Sequence, residues 1–329
     1  MKNNSILLSI VIPAYNAEKY IQQCIISLIR QDLPQTDYEI LVINDGSTDN
    51  TASVLNRLSK EYPHIHIFTT ANQGVSTARN LGIEAAQGKI LLFVDADDYM
   101  VENCLSTIYR SMEEDKLDLL LFDYSYWSNQ GKRLKEFDRQ ERDHFPEDVT
   151  SGQTYIQDDA LPSTVWTLAY RTSYIKEKGL RFINIRHEDE EFIPRTFYFA
   201  NRVKYINMIA YNYIQSETSF MQNYKETGFF DYIKAMDSLK QFTEEQVKET
   251  STRQALEKRI SSRLLINLKN SFLLGSKVQP KMIKQMKQRH LDPTLHKNKK
   301  IYHFLYIYLP WIFIAYFRHR FIRHRYKYQ

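Results

Sequence analysis

Residues 89–99, Lys-Ile-Leu-Leu-Phe-Val-Asp-Ala-Asp-Asp-Tyr, decide how the chain is read. Residues 90–94 are a short apolar run of the kind that makes a strand buried on both faces, and the run ends abruptly in Asp95, Asp97 and Asp98. In open α/β sheets, ligands bind beyond the carboxyl ends of the strands. Three carboxylates at such a tip repel one another and need a cation. Hard divalent ions such as Mg²⁺ or Mn²⁺ take oxygen ligands and commonly join one or two carboxylates to a substrate's phosphates. The element therefore reads as a metal–diphosphate site. The same residues also fit a solvated acidic turn that closes a strand, so the surrounding chain has to decide.

Upstream, residues 9–12 read as a first strand, and Tyr20, Ile21, Cys24, Ile25, Leu28 and Ile29 then recur at helical spacing. Residues 39–43 are a second buried strand. It ends in Asn44-Asp45-Gly46-Ser47-Thr48-Asp49, where Ser47 or Thr48 is the expected N-cap of a helix carrying Val54, Leu55 and Leu58. Residues 65–69 make a third strand, and 74–87 a small-residue helix with Gly88 as its stop. Strands alternating with helices of this length predict an α/β domain with a mainly parallel sheet and helices on both faces.

Downstream, residues 117–122 read as another strand. Residues 129–150, charged and carrying Gly131 and Pro146, read as an exposed hairpin or loop. Residues 166–178 predict a mixed aromatic and basic helix ended by Gly179, and 202–213 two short aromatic strands. Residues 226–290 are charged helices with Phe229, Phe230, Ile233, Met236 and Leu239 as a packing face.

Composition bounds the function. The 329 residues are 43% hydrophobic and 25% charged, which suits one large or two smaller globular cores. Cys24 and Cys104 sit in apolar helical patterns, so they read as buried thiols in a reducing cytoplasm rather than a disulfide framework or zinc site. The apolar run at 6–12 is too short for a cleavable signal. The net charge of +5 is matched by Arg318, Arg320, Arg323, Arg325 and Lys327 alone, so no basic groove for nucleic acid is implied. A G-x-G-x-x-G fingerprint is missing, and Gly82 and Gly88-Lys89 have the wrong spacing for a P-loop. What remains is polar groups at four strand tips: residues 13–15, Asp45, residues 72–80, and 95–98. Together they can hold a base, a ribose and a metal-bound diphosphate. Asp45 suits acceptance of a base imide N–H, and equally suits an Asx turn.

Three stretches, SIVIPAYNAEKYIQQCIISLIRQ, VINDGSTDNT and NQGVSTARNLGIEAAQGKILLFVDADD, resemble glycosyltransferase family 2 in order and spacing over residues 8–100. A weaker similarity continues through WTLAYRTSY and RFINIRHEDEEF to about residue 220. The resemblance implies an inverting enzyme of GT-A fold, a Rossmann-like mainly parallel sheet. It further implies a UDP-sugar donor whose uracil is read by Asp45 and lined by the backbone of Pro13, Ala14 and Tyr15. Arg79 would lie near the nucleotide, Asp95 and Ala96 at the ribose, and Asp97 would ligate Mn²⁺ or Mg²⁺. Asp189 falls where the family carries its catalytic base, beside Glu188. The structural reading of the 187–191 acids is a helix start, since carboxylates in a first turn meet the helix dipole favourably. That reading is kept for Glu190 and Glu191, with His187 a surface or supporting residue. Trp166, Arg171 and Glu188 are candidate acceptor-binding residues, the first two as the floor of a pocket, though a core Trp fits equally.

This predicts a nucleotide-sugar half at residues 1–115, an acceptor half at 116–222, a helical extension at 223–300 and an aromatic, basic tail at 301–329. The tail's 17 residues from 301 to 317 would make a helix of about 25 Å, short of a hydrocarbon core of ~30 Å. Its Tyr, Trp and Arg content suits an amphipathic membrane-associating element on the inner face of a cell membrane, against the alternatives of a core helix, a dimer contact or a span. No Gln-x-x-Arg-Trp motif occurs, which by resemblance points away from processive synthesis. The acceptor expected is a glycan or polyprenyl-linked oligosaccharide of a cell-surface polysaccharide. The rival readings are a nucleotidyltransferase, which should show a basic, glycine-rich loop where IPAYNAEKY stands, and a non-catalytic nucleotide-sugar binder.

Overall fold

In the computed structural model, which describes residues 6–136, 145–146, 148–215, 226–275, 277–295 and 300–325, the apolar runs become strands flanked by helices. The order is β1 (Leu8–Ala14), α1 (Ile21–Ile29), β2 (Tyr38–Asn44), α2 (Thr51–Glu61), β3 (Ile65–Thr69), α3 (Val75–Ala85), β4 (Ile90–Phe93), β5 (Tyr99–Met100) and α4 (Leu105–Glu114). There follow β6 (Leu119–Ser128), β7 (Arg133–Glu136), α5 (Gly152–Gln157), β8 (Leu168–Arg171), α6 (Thr172–Glu177), α7 (Asp189–Phe199) and β9 (Val203–Gln215). The chain ends in α8 (Glu226–Gln246), α9 (Thr250–Asn270), α10 (Val278–Gln288), α11 (Lys300–Tyr308) and α12 (Pro310–Arg325). Two compact units emerge: Met1–Asn184 with Arg195–Glu217, and Ile185–Pro194 with Thr218–Gln329.

The first unit is one mixed sheet in the order β3-β2-β1-β4-β8-β6-β9-β5, with β7 hairpinned onto β6. The four strands β3, β2, β1 and β4 are parallel, as the β/α alternation predicts. β8 then runs antiparallel to both β4 and β6. The strand at the centre of the sequence reading, Ile90 to Phe93, is no more than 2% exposed at any residue. Burial of this kind stabilises by about 1.5–3 kcal/mol per large side chain.

Four local expectations are corrected. Residues 166–178 are not one helix: a 3₁₀ turn (Val165–Thr167) leads into β8, and only Thr172–Glu177 is helical. The reason is non-local, because Ala169 and Tyr170 pair with β4 on one side and β6 on the other. Residues 202–213 form one strand rather than two, long enough to pair with both β6 and β5. Neither Ser47 nor Thr48 caps α2. Asn50 holds the cap position, and Asp49 accepts the Thr51 N–H at 3.0 Å. Gly88 is not the stop of α3, which closes on Ala86. A Cβ at Gly88 would lie 2.4 Å from the Leu8 carbonyl carbon, so glycine there permits the close approach to β1. The described part of the 129–150 excursion is the β6–β7 hairpin, then Phe145, buried against Tyr205, and Thr150, bridged to Val203; residues 137–144 and 147 lie outside the described residues.

In the second unit, Phe229, Ile233, Met236 and Leu239 of α8 do form the packing face, against Ile260, Leu264 and Leu268 of α9 and Met282 and Met286 of α10. The tail is broken at Pro310 into two helices. Tyr306, Phe313 and Phe317 bury into that core, while Ile301, Phe304, Tyr308 and Trp311 stay exposed. Among the described residues no helix is long and apolar enough to cross a membrane. Lys327 of the basic block lies outside the described residues.

Candidate functional site

The tips of β1 and β2 are laced into one surface. Asp45 N–H donates to the Ala14 carbonyl at 2.9 Å, continuing the ladder past the strand ends. The Asn16 N–H donates to Ser47 Oγ (3.0 Å), and the Ala17 N–H to Thr51 Oγ1 (2.8 Å). Pro13 and Ala14 are buried within this seam, whereas Tyr15 is 50% exposed at its edge.

Asp45, 4% exposed, ties down the loop that enters α3. Its Oδ1 accepts the Thr70 hydroxyl (3.1 Å) and the Gln73 N–H (2.9 Å), and its Oδ2 the Gly74 N–H (2.7 Å). A carboxylate offers about four lone-pair sites, so one acceptor position is left for a ligand donor. Gly46 follows at φ +71°, and a Cβ there would sit 2.7 Å from the Asn72 nitrogen. Only glycine lets these two loops touch.

The three carboxylates of residues 95–98 do not converge. Asp95 Oδ1 pairs with Arg79 Nη2 at 2.9 Å, and Arg79 is 3% exposed beneath the sheet edge. Phe182 lies under the guanidinium at 5.4 Å, held in place because both its N–H and its carbonyl bond to the Asn80 side-chain amide. Asp98 turns inward, 2% exposed, and its carboxylate accepts the Tyr211 hydroxyl (2.8 Å) and the Ile214 N–H (2.7 Å) of β9. Burial, then the charges of Asp97 and Asp95, push the Asp98 carboxyl well up. The tyrosine also receives the Asp95 N–H at 3.1 Å.

Asp97 is left pointing outward. The protein packed around it, and then the Asp95 charge, push its carboxyl up to about 6. Its side chain is nonetheless open to solvent, so a counter-charge can reach it. The compensation that three neighbouring carboxylates require comes in part from the chain itself: Arg79 serves Asp95, and Tyr211 and Ile214 of β9 serve Asp98. Among the described residues, no three or more His, Cys, Asp or Glu side chains are grouped to hold a metal.

Other predicted residues fall as follows. Ala96 is buried in the turn between Asp95 and Asp97. Trp166 is 5% exposed and stacks on Tyr211 at 4.3 Å and Tyr213 at 5.6 Å. Arg171 faces α4, where it binds the Glu113 carboxylate and the carbonyls of Leu117 and Met112. In the second unit, Asp189 opens α7 half-buried, with Glu188 buried before it. Glu190 pairs with Arg259 (3.3 Å) and Arg263 (3.5 Å), and Glu191 accepts the Ser238 hydroxyl. His187, at φ +64°, lays its ring against Tyr232, and burial pushes its pKa down. Sequence reasoning missed Tyr211, which joins Asp95 to Asp98. Its only local signal is an aromatic in an aromatic-rich strand, 113 residues from Asp98.

Residues 9–168 match the profile described as Glycosyl transferase family 2. An uncharacterized glycosyltransferase of Haemophilus influenzae is 32% identical over 190 residues, 57% of this chain and 71% of that protein. The uncharacterized glycosyltransferase YibD of Escherichia coli is 31% identical over 238 residues, 69% of this chain and 66% of its own length, so just under two thirds of it is spanned. TarS of Staphylococcus aureus, a poly(ribitol-phosphate) beta-N-acetylglucosaminyltransferase, is 30% identical over 208 residues, 62% of this chain and 35% of that protein. The crystal structure of TarS 1-349 in complex with UDP-GlcNAc shares the fold, with a TM-score of 0.78 at 22% identity over 98% of this chain and 92% of that one.

Proposed function

We propose a reaction for this chain, which belongs to glycosyltransferase family 2: transfer of a sugar from a UDP-sugar to a hydroxyl of a glycan or glycolipid acceptor, with inversion at the anomeric carbon. The observation that carries it is the division of labour in residues 95–98, which leaves Asp97 solvent-open while Arg79 and β9 occupy its two neighbours. The UDP-GlcNAc complex of TarS supports the donor class.

Mn²⁺ or Mg²⁺ fits this donor set, because such ions commonly bind through one or two carboxylates plus substrate phosphates. Asp97 would hold the ion, with Asp95 as the neighbouring carboxylate. Bound there, it supplies Lewis-acid stabilisation of the departing diphosphate. The remaining work falls to the chain. Asp45 uses its spare acceptor position for the uracil N–H, against the backbone of Pro13, Ala14 and Tyr15. Asp95 and Ala96 line the ribose, and Arg79 holds the Asp95 carboxylate in place. Asp189, beside Glu188, takes the proton of the acceptor hydroxyl as that oxygen bonds to the anomeric carbon and the bond from that carbon to the phosphate oxygen breaks. Trp166 and Arg171 support the sheet from which the acceptor half is built.

The acceptor class proposed is a cell-surface glycan or polyprenyl-linked oligosaccharide met at the cytoplasmic face of the membrane. The exposed Ile301, Phe304, Tyr308 and Trp311 beside a basic segment support that placement. Co-sedimentation with phosphatidylglycerol vesicles tests it, and no binding over neutral vesicles removes it.

The test of the reaction is UDP release from UDP-sugars with and without Mn²⁺, alongside UDP titration. Asp189→Asn should lower turnover by about 10²–10⁴ while UDP binding persists. Asp97→Asn should lose the Mn²⁺-dependent part of UDP binding. Full turnover in Asp189→Asn takes that residue out of the role. UDP-sugar binding without any transfer or hydrolysis favours the non-catalytic binder, and pyrophosphate release from a nucleoside triphosphate favours the nucleotidyltransferase.

A further inference from the structure

A cavity of about 450 Å³ lies beside the acidic turn, walled by α1, the β5 segment, the β6–β7 hairpin and β9. Its volume falls in the roughly 300–1,000 Å³ range of small-molecule sites. It shares Gln23 and Tyr99 with a smaller cavity of about 140 Å³ that reaches Asp97 and Asp98. The two spaces are therefore neighbours across one wall, both within the first unit.

The lining is built rather than incidental. Strand register sets Tyr99 opposite Asn212 and Asn212 opposite Ser125, and Trp127 follows two residues along the same face. The Trp127 indole N–H donates to Ser125 Oγ at 2.7 Å, and that hydroxyl donates to Asn212 Oδ1 at 2.8 Å. This relay fixes the indole at 6.3 Å from the Tyr99 ring, tilted by 56°. It also consumes the Asn212 carbonyl, while no hydrogen bond from the Asn212 amide nitrogen occurs among the described residues. Asn212 is 7% exposed and lines the cavity. Gln23 offers a second amide at the mouth, and Arg30 and Glu102 form an ion pair at the rim at 3.6 Å.

Two aromatic rings and two amides, with the charged Arg30, Glu102 and Arg133 also on the lining, suit a ligand with apolar C–H faces and many hydroxyls. We propose that this cavity is a saccharide subsite, holding a non-reacting sugar unit of the acceptor beside the reaction centre. The proposal rests on the glycosyltransferase reading, and it supplies that reaction with binding energy remote from the bond being made.

Saturation-transfer NMR on the full chain with UDP and Mn²⁺ present tests it. The probes are methyl β-glucopyranoside, methyl N-acetyl-β-glucosaminide and maltose in the millimolar range. At least one should bind, Trp127→Ala should abolish the signal, and Gln23→Ala should weaken it roughly fivefold to tenfold, with UDP affinity unchanged in both. Gln23 is exposed on α1, so this variant decides the matter if Trp127→Ala fails to fold. Loss of UDP binding by the native chain would overturn the glycosyltransferase reading itself. UDP binding with no saccharide bound, or saccharide binding unmoved by the folded variants, overturns the subsite alone.

Discussion

Arg79 and Asp95 should behave as one energetic unit, and a double-mutant cycle measures it. Their contact at 2.9 Å is a charge-assisted hydrogen bond between a guanidinium 4% exposed and a carboxylate 30% exposed. Hydrogen bonds to charged groups contribute about 1.5–3 kcal/mol, and the water reaching Asp95 argues for the lower end. Arg79→Met keeps the stem against Phe182 and removes the charge. It should destabilise the first unit by about 2–4 kcal/mol, because the Asp95 carboxylate then loses its partner. Asp95→Asn removes the other charge, and the coupling between the two substitutions should be about 1.5–2 kcal/mol. Urea unfolding followed by tryptophan fluorescence reads this, with Trp311→Phe in every variant so that Trp127 and Trp166 report the first unit. A coupling below about 0.3 kcal/mol, the scatter of independent sites, would refute the pairing.

Two further outcomes follow from packing and burial. Gly152→Ala would place a Cβ 2.0 Å from the Phe197 carbonyl oxygen, where backbone has to move. The melting temperature should fall by an amount equivalent to about 1–3 kcal/mol, and an unchanged melt would show that no such close approach exists. His64 lies between the Tyr38 and Tyr62 rings with Nε2 buried and unpartnered among the described residues. Burial, and then His66, hold its pKa below the ordinary 6.5. A depressed histidine binds fewer protons when folded. Its share of stability is therefore full above pH 6.5 and is lost as the pH falls from there through the folded pKa. His64→Phe should flatten the thermal stability profile across that window, and an identical acid slope in the variant would exclude His64 as its source.

What could be read along the chain was whatever nearest neighbours dictate. Apolar runs and helical periodicities specify β1 through β4 with their helices, because β1, β2 and β4 are buried on both faces and each helix presents one apolar stripe. The same local logic misassigns residues 166–178. Their spacing suits a helix, but a vacancy between β4 and β6 makes a strand there more favourable, and no local window contains those partners. The acidic turn shows the divide at the candidate site. Composition says that Asp95, Asp97 and Asp98 cannot remain together without compensation. Only the tertiary structure decides which positive or donor group compensates which acid. Arg79 comes from a helix 16 residues before Asp95, and Tyr211 and Ile214 from a strand more than a hundred residues after Asp98. Charge and hydrogen-bond partners act over a few ångströms in space, so the sequence states that the carboxylates need partners, and the fold leaves Asp97 as the one open to solvent.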